Sequence, residues 1–410
     1  MKTDLDGVNV PALRSHNAAL VLDLLRTAGE PGISRLELAE RTGLTPQAVS
    51  KITARLRAEG LVAEAGRRAS TGGKPRTVLR LVASAGYAVG VHLDRDELTT
   101  LLTDLAGTVV TRRRRGLDLG AGTGPVLDAV TEEVGALTAG GPDVIGVGVA
   151  MPGPLDHRSG VPGRVTGFPQ WDGHPVREEL ARRLGLPVVL DKDTNAAALR
   201  LALRPAAPGS FAYVHLGTGL GAGLVLGGAL LRGDRTGAGE LGHQTVQLDG
   251  PPCDCGGHGC LEVLCLAAVG RGELAEAARI LGAGAANLVR LLDIDQVLLG
   301  GRVVLAAPGV FVDGVREVLA GLGLTAPVGL AAEAGAGGGA VAGGGAVADV
   351  GAVAGGDGDA VAHGGGDAVG HGDGGAVAGG DTVAHGDGDG DGGAVAEGAA
   401  WLILAPIFGK

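Results

Sequence analysis

The sequence predicts an α/β protein in which a small helical unit carrying a β-hairpin precedes a larger body of two lobes facing a cleft. Three observations predict it. Apolar residues between 17 and 59 recur at helical spacing in three short stretches separated by capping residues and glycines. From residue 86 onward strands and helices alternate. The strand-rich pattern of that region then returns as a second hairpin after Pro208, as two related lobes require.

Each element of the N-terminal unit has a local cause. Ala18, Leu20, Val21, Leu24 and Leu25 place one apolar stripe on a helix over Asn17 to Arg26, which Ala28 and Gly29 end. Ser34 and Glu37 form an S-x-x-E capping box that starts a second helix, through Arg41, and Gly43 closes it. Thr45 caps a third helix with Pro46 at its first position, running to Glu59. On that helix Val49, Ile52 and Leu56 face inward, leaving Gln47, Ser50, Lys51 and Ala54 outward. Gln pairs with adenine, Lys reaches guanine or phosphate, and small Ser and Ala permit close approach to a major groove. The segment LVAEAGRRASTGGKPRTVLRLV reads as strand, loop, strand, with Arg67, Arg68, Lys74 and Arg76 about a glycine-rich tip.

Charge supports this reading. The formal net charge is -11, yet residues 1–82 hold thirteen Lys and Arg against eight Asp and Glu. Between Thr45 and Arg80 the count is eight basic to two acidic, enough for several phosphate contacts if they share a face. The unit resembles winged helix-turn-helix repressors. The expected DNA-contacting residues are Thr45, Gln47, Ser50, Lys51, Arg55, Lys74 and Arg76, against the bland alternative of a solvated basic surface.

Composition bounds the remainder. The chain has 410 residues, 45% of them hydrophobic, with 79 Gly but only two Trp, two Tyr and four Phe, so Ala, Val and Leu must fill its cores. No apolar run of about eighteen residues appears, and the N-terminus has no apolar signal region, so a cytoplasmic protein with no membrane association is expected. Three of the four cysteines fall within eight residues. His243, Cys253, Cys255 and Cys260 supply the ligand types and number of a closed tetrahedral zinc site, and four protein ligands leave no position for a reactive water. Structural Zn2+ is therefore expected. Cys265 reads as a buried apolar thiol.

In the body, YAVGVHL, LTTLLTDL and GTVVTRR read as three strands, followed by a helix from Pro125 to Ala139. The strand in DVIGVGVAMPGPLD, the helix Val176 to Leu184 and the strand in PVVLDKDTN complete the first lobe. HLGTGLGAGLVLGGALLRG, followed by GAGELGHQTV and H-x9-C-x-C-x4-C, resembles the ROK family of sugar kinases and repressors. The resemblance continues through LGAGAANLVRLLDIDQVLLGGRV and covers nearly all of the chain except a low-complexity tract. It implies a two-lobed actin-like, ribonuclease-H-like ROK domain after the winged unit. It also implies that Glu240, His243 and Glu262 contact a sugar and that Asp193 stands at the position of the kinase base. Carboxylates and imidazole suit a polyhydroxylated ligand because they accept directional hydrogen bonds. The weaker alternative, without the motif, is that Glu240 caps a turn and Asp193 pairs with Lys192 on the surface.

Departures from the family pattern carry information. Where its kinases have D-x-G-G-T, this chain reads His92, Leu93, Asp94, Arg95, Asp96, replacing phosphate-cradling glycine amides with bulky and acidic groups. Lys192 stands for an asparagine before Asp193, and Gly167 for the asparagine of an N-x-x-x-W loop ending at Trp171. Lys192 is either a pocket cation suited to a phosphorylated or acidic sugar, or an exposed lysine.

The expected effector-binding set is Lys192, Asp193, Glu240, His243 and Glu262, with no catalytic residue. Two functions compete: a non-enzymatic regulator, most simply a repressor, binding operator DNA in response to a sugar or sugar-phosphate; or an ATP-dependent sugar kinase with an added DNA-binding domain. A homodimer or homotetramer is implied by the resemblance. The expected division is a winged unit over 1–82, the ROK body over 83–333, a Gly/Ala/Asp-rich insertion over 334–396, and a closing helix over 397–410. The insertion reads as flexible low complexity or as calcium-binding repeats; the irregular period and the variable spacing of His363, His371 and His385 favour the first.

Overall fold

The computed structural model describes residues 16–68, 76–204, 207–332 and 391–410. Helix α1 (His16–Ala28) buries Ala18, Val21, Leu22 and Leu25. A two-residue strand, β1 (Ile33–Ser34), leads into α2 (Arg35–Thr42). Ser34 caps that helix, accepting the Glu37 N–H while the Glu37 carboxylate accepts the Ser34 N–H at 2.8 Å. Gly43 leaves the helix at φ +70, the left-handed conformation that glycine adopts without strain. Thr45 caps α3 (Pro46–Ala58) by accepting the Ala48 N–H at 3.2 Å. The wing strands β2 (Val62–Arg68) and β3 (Arg76–Leu81) pair antiparallel, and β1 joins the far edge of β3. The tip between them, with Lys74, lies outside the described residues.

The first lobe opens with the antiparallel meander β4 (Tyr87–Leu93), β5 (Glu97–Asp104) and β6 (Val109–Gly116). Helix α4 (Thr123–Thr138) then brings the chain to β7 (Val144–Met151), parallel to β4. A short pair, β8 (Leu155–Asp156) and β9 (Val161–Pro162), precedes α5 (Val176–Leu184), β10 (Val188–Lys192) and α6 (Asp193–Ala202). The strand order is β10-β7-β4-β5-β6.

The second lobe repeats the plan. Its meander is β11 (Phe211–Leu216), β12 (Leu220–Leu226) and β13 (Ala229–Leu231). Helices α7 (Leu261–Gly270) and α8 (Leu274–Leu292) lead to β14 (Gln296–Gly300), parallel to β11; α9 (Arg302–Ala306) and α10 (Pro308–Gly321) lead to β15 (Val328–Leu330). The order β13-β12-β11-β14-β15 reproduces the first sheet, with one strand paired antiparallel to its successor and parallel to a strand returning from a helix.

Helix α11 (Asp391–Leu404) binds these parts together. It lies across β4 and β7, where Gly90 and Gly148 have no room for a side chain: a Cβ on either would overlap the carbonyl of Ala396 or Ala399. On its other side Gly398 meets the Ala196 carbonyl of α6 with the same intolerance. Glu397 receives Arg112 of β6 at 2.8 Å and Arg200 of α6. The helix starts at Asp391, six residues before the expected boundary at 397, because Val395 and Ala396 are fully buried and need a helical partner for their backbone.

The winged unit is likewise not a separate core. Val21, Leu22, Leu25 and Leu79 share one apolar cluster with Leu101, Leu105, Trp401, Leu404 and Phe408. Arg26 of α1 stacks over the Trp401 and Phe408 rings at 5.0 and 5.3 Å, and Lys410 reaches Asp23 at 3.1 Å. The boundary at 82/83 separates topological units but not hydrophobic cores.

Gly148→Ala, which drives a Cβ into rigid helix backbone, is expected to lower the urea-unfolding free energy by about 2 kcal/mol or more. Gly135→Ala, on an open face of α4, should be neutral or stabilising by about 0.5–1 kcal/mol. Equal effects would contradict the packing described.

Candidate functional site

The cleft forms where β10 hands over to α6, so that Lys192 ends a buried strand and Asp193 begins a helix. Lys192 is only 2% exposed. Its Nζ donates to Glu240 Oε1 at 2.9 Å and to the Ala238 carbonyl, while Gly153 and Gly239 crowd the pair too closely to carry side chains. The lysine is therefore inside, but its charge is matched by Glu240. Asp193 opens onto the cleft and is otherwise enclosed by protein. Burial pushes its carboxyl above the usual range, although His215, His92 and the Thr194 N–H act in the opposite direction. Glu262, in the first turn of α7, accepts the Leu220 N–H at 2.7 Å and lines the cleft with His243 and Glu240. The five expected effector residues thus converge.

The loop between β4 and β5 is occupied in a way that spacing could not reveal. Arg302, the first residue of α9 in the second lobe, reaches across to the first. Its guanidinium donates to Asp96 at 2.8 and 2.6 Å and to Asp94. Asp94 also accepts the Arg95 N–H at 2.7 Å and the Thr218 hydroxyl at 3.2 Å. Burial alone would raise the Asp94 carboxyl, but His92, the Arg95 amide and Arg302 together hold it below its ordinary value; for Asp96 the Arg302 hydrogen bond dominates in the same direction. Beneath the cleft, buried Asp191 accepts Asn195 Nδ2 at 2.8 Å and Arg232 Nε at 2.7 Å. Arg302, Arg232, Thr218 and His215 lie outside the expected site set; Arg302 meets Asp94 from 208 positions away, Thr218 meets Asp94 from 124 and Arg232 meets Asp191 from 41, separations that local periodicity does not report.

Four ligand atoms of His243, Cys253, Cys255 and Cys260 lie within 4.8 Å of one another. Cys253 Sγ is 3.7 Å from His243 Nδ1, and the Cys255 and Cys260 sulfurs are 3.6 Å apart. A tetrahedral ion with metal–sulfur bonds of about 2.3 Å requires edges of about 3.8 Å, so the group fits one metal ion. Without metal, burial and the neighbouring thiols push Cys260 up to about 12. His243 Nδ1 turns to the sulfurs while the same residue lines the cleft, which ties the metal group to the pocket wall. Cys265 stands apart: buried, directed at the Ala277 carbonyl and pushed to about 12 by desolvation.

On α3, Thr45, Gln47, Ser50, Lys51 and Arg55 are exposed, as is Arg76 at the start of β3, while Val49 and Leu56 are buried. Thr53 is buried too, contrary to its polar character; its hydroxyl donates to the Val49 carbonyl at 2.9 Å. Of the wing's basic residues, Arg80 pairs with Glu30 at 2.9 Å.

Residues 88–272 match the ROK family model, and residues 21–63 match a winged helix-turn-helix DNA-binding model. A ROK hexokinase from Thermus thermophilus is 32% identical, with 95% of that chain and 61% of this one covered and a TM-score of 0.50. The chain belongs to the ROK family. The two sheets of repeated order are the lobes of the ROK domain. A ROK family transcriptional regulator, a homologue of the E. coli MLC protein, superposes over 78% of this chain and 95% of its own with a TM-score of 0.63; at 24% identity it speaks for the fold alone. The xylose repressor of Bacillus subtilis is 31% identical over 236 residues, which are 56% of this chain and 61% of that protein. The chain thus spans about three fifths of the length of the curated relatives it matches.

A carboxyl whose folded pKa is raised binds more protons folded than unfolded, so it destabilises the native state at pH values above that raised pKa and costs nothing below the unfolded one. Asp193→Asn is accordingly expected to raise the thermal midpoint near pH 7, with the gain shrinking toward about pH 4. A gain independent of pH would show that the charge is not the cause.

Proposed function

We propose that this ROK protein is a cytoplasmic, sequence-specific DNA-binding regulator, acting as a repressor, whose operator affinity responds to a sugar or sugar-phosphate held in the cleft. The observation that carries the reading is the conjunction of an exposed reader face, Gln47, Ser50, Lys51 and Arg55, with a phosphate loop spanned by Arg302. Nucleotide phosphates approach backbone amides at such a loop; here acidic side chains and an interlobe guanidinium stand instead. No catalytic step is assigned to Asp193, which serves the effector together with Lys192, Glu240, His243 and Glu262. Lys74, Arg76 and Thr45 complete the DNA-contacting set in this reading, and a homodimer or homotetramer would present two reader helices to two half-sites.

Zinc is the metal proposed for the His243 and cysteine group, since thiolate and imidazole in a closed four-ligand set favour it. Its role is to hold the segment carrying His243 against the cleft.

Selection of bound DNA from random sequence, repeated with a sugar panel, tests the reading. One enriched motif with altered recovery in the presence of one sugar is expected; ATP-dependent phosphorylation of a hexose that is lost in Asp193→Asn would establish the kinase instead. Lys51→Ala should weaken operator binding and reduce the slope of log K against log salt by about one. Elemental analysis should find one zinc per chain, reduced by Cys255→Ala. Zinc affinity should rise with pH because the raised thiols must lose protons to bind.

A further inference from the structure

One guanidinium in the cleft has no acceptor among the described residues. Arg95 occupies a glycine position of the kinase phosphate loop, and its backbone is fixed at both ends, the N–H by Asp94 at 2.7 Å and the carbonyl by the Leu119 N–H at 3.0 Å. Its side chain turns into the cleft and lies over the Phe168 ring at 5.5 Å. An aromatic face holds the plane of a guanidinium without consuming its N–H groups. Among the described residues, no side chain or carbonyl accepts from it, although every neighbouring cation is matched. Lys192 has Glu240, Arg302 has Asp94 and Asp96, and Arg232 has Asp191. Gly219, in the loop between β11 and β12, separates Arg95 Nη2 from Glu262 Oε2: a Cβ there would stand 3.4 Å from the first and 3.1 Å from the second.

We infer that the cleft takes an anionic monosaccharide, whose hydroxyls are received by Glu262 and whose carboxylate or phosphate group is received by Arg95. This rests on the cleft being an effector site, as proposed above, and narrows its ligand class. A half-buried fork of N–H donors with no acceptor is costly to leave dry and matches the paired oxygens of a carboxylate or phosphate. The other candidate for this role, Lys192, already has its charge matched by Glu240 at 2.9 Å. Phe168 keeps the fork from collapsing onto Asp94, which is already engaged by Arg302 and Thr218.

The test uses the full chain and matched pairs at constant ionic strength: glucose with glucuronate, galactose with galacturonate, and N-acetylglucosamine with its 6-phosphate. Acetate and inorganic phosphate serve as controls for nonspecific ions. Binding is read by calorimetry and by the thermal midpoint. The expected result is that at least one anionic member binds tenfold or more tighter than its neutral partner. Arg95→Gln should abolish that difference and Arg95→Lys should keep part of it, both with the unliganded midpoint of the parent. The carboxylate and phosphate arms tell which anion is read. Binding of a neutral sugar with no anionic member tighter than its neutral partner, or an Arg95→Gln protein that keeps the preference, overturns the inference and leaves the effector site standing. If no sugar of either kind binds, the effector reading itself falls, and this inference with it.

Discussion

The carbonyls of Ala396 and Ala399 lie where side chains would otherwise stand on β4 and β7, and the joining of the molecule's parts depends on that contact. Gly90, Gly148 and Gly398 let three layers approach at backbone distance: the first sheet, α11 and α6. Such packing is stiff, because close-packed interiors lack the voids into which a layer could shift. Its charged seam is as spare as its apolar one, a single Glu397 serving both Arg112 of β6 and Arg200 of α6.

That arrangement makes α11 the common neighbour of two distant surfaces. Its N-terminal half rests on α6, the helix whose first residue is Asp193, and the 3-10 turn after it, Ala405–Phe408, packs with Trp401 against α1 of the winged unit. Thr194 reinforces the link on the other side, since Gly223 of β12 has space for nothing beyond the Thr194 carbonyl. Helix α11 is therefore packed at one side against α6 and, through the stacked Arg26, at its end against the unit that carries α3. The winged unit is thereby a packed part of the body.

Electrostatics in the cleft follow a single rule of pairing. Buried and half-buried charges are costly unless matched, and Lys192, Arg232 and Arg302 each have their carboxylates. Asp193 and Arg95 are the departures from that rule, one held toward its neutral form by burial and the other without an acceptor among the described residues. Departures of this kind mark where a ligand completes what the protein leaves incomplete.

Much of this was legible in the chain because its causes are local. The Ser34/Glu37 box, the Thr45 cap and the buried stripe Val49 and Leu56 rest on contacts within about ten residues, and the His243 and cysteine cluster spans only 17 positions, so periodicity, capping chemistry and ligand spacing report them directly. What the tertiary structure decided rests on residues far apart. Lys192 read equally well as a free pocket cation or a solvated lysine until Glu240, 48 positions away, claimed it. Arg302 lies within the stretch LLGGRV that resembles the family, but nothing local pairs it with Asp94 and Asp96, which stand more than 200 positions away in the other lobe. The closing helix begins earlier than composition suggested because glycine and alanine, which read as low complexity in sequence, are the residues that permit helix and sheet backbones to touch. Sequence thus determined the elements and the clustering of His243 with three cysteines, whose interactions are short in chain distance; the pairing of charges across the cleft and the fusion of the cores were decided only by close packing in three dimensions.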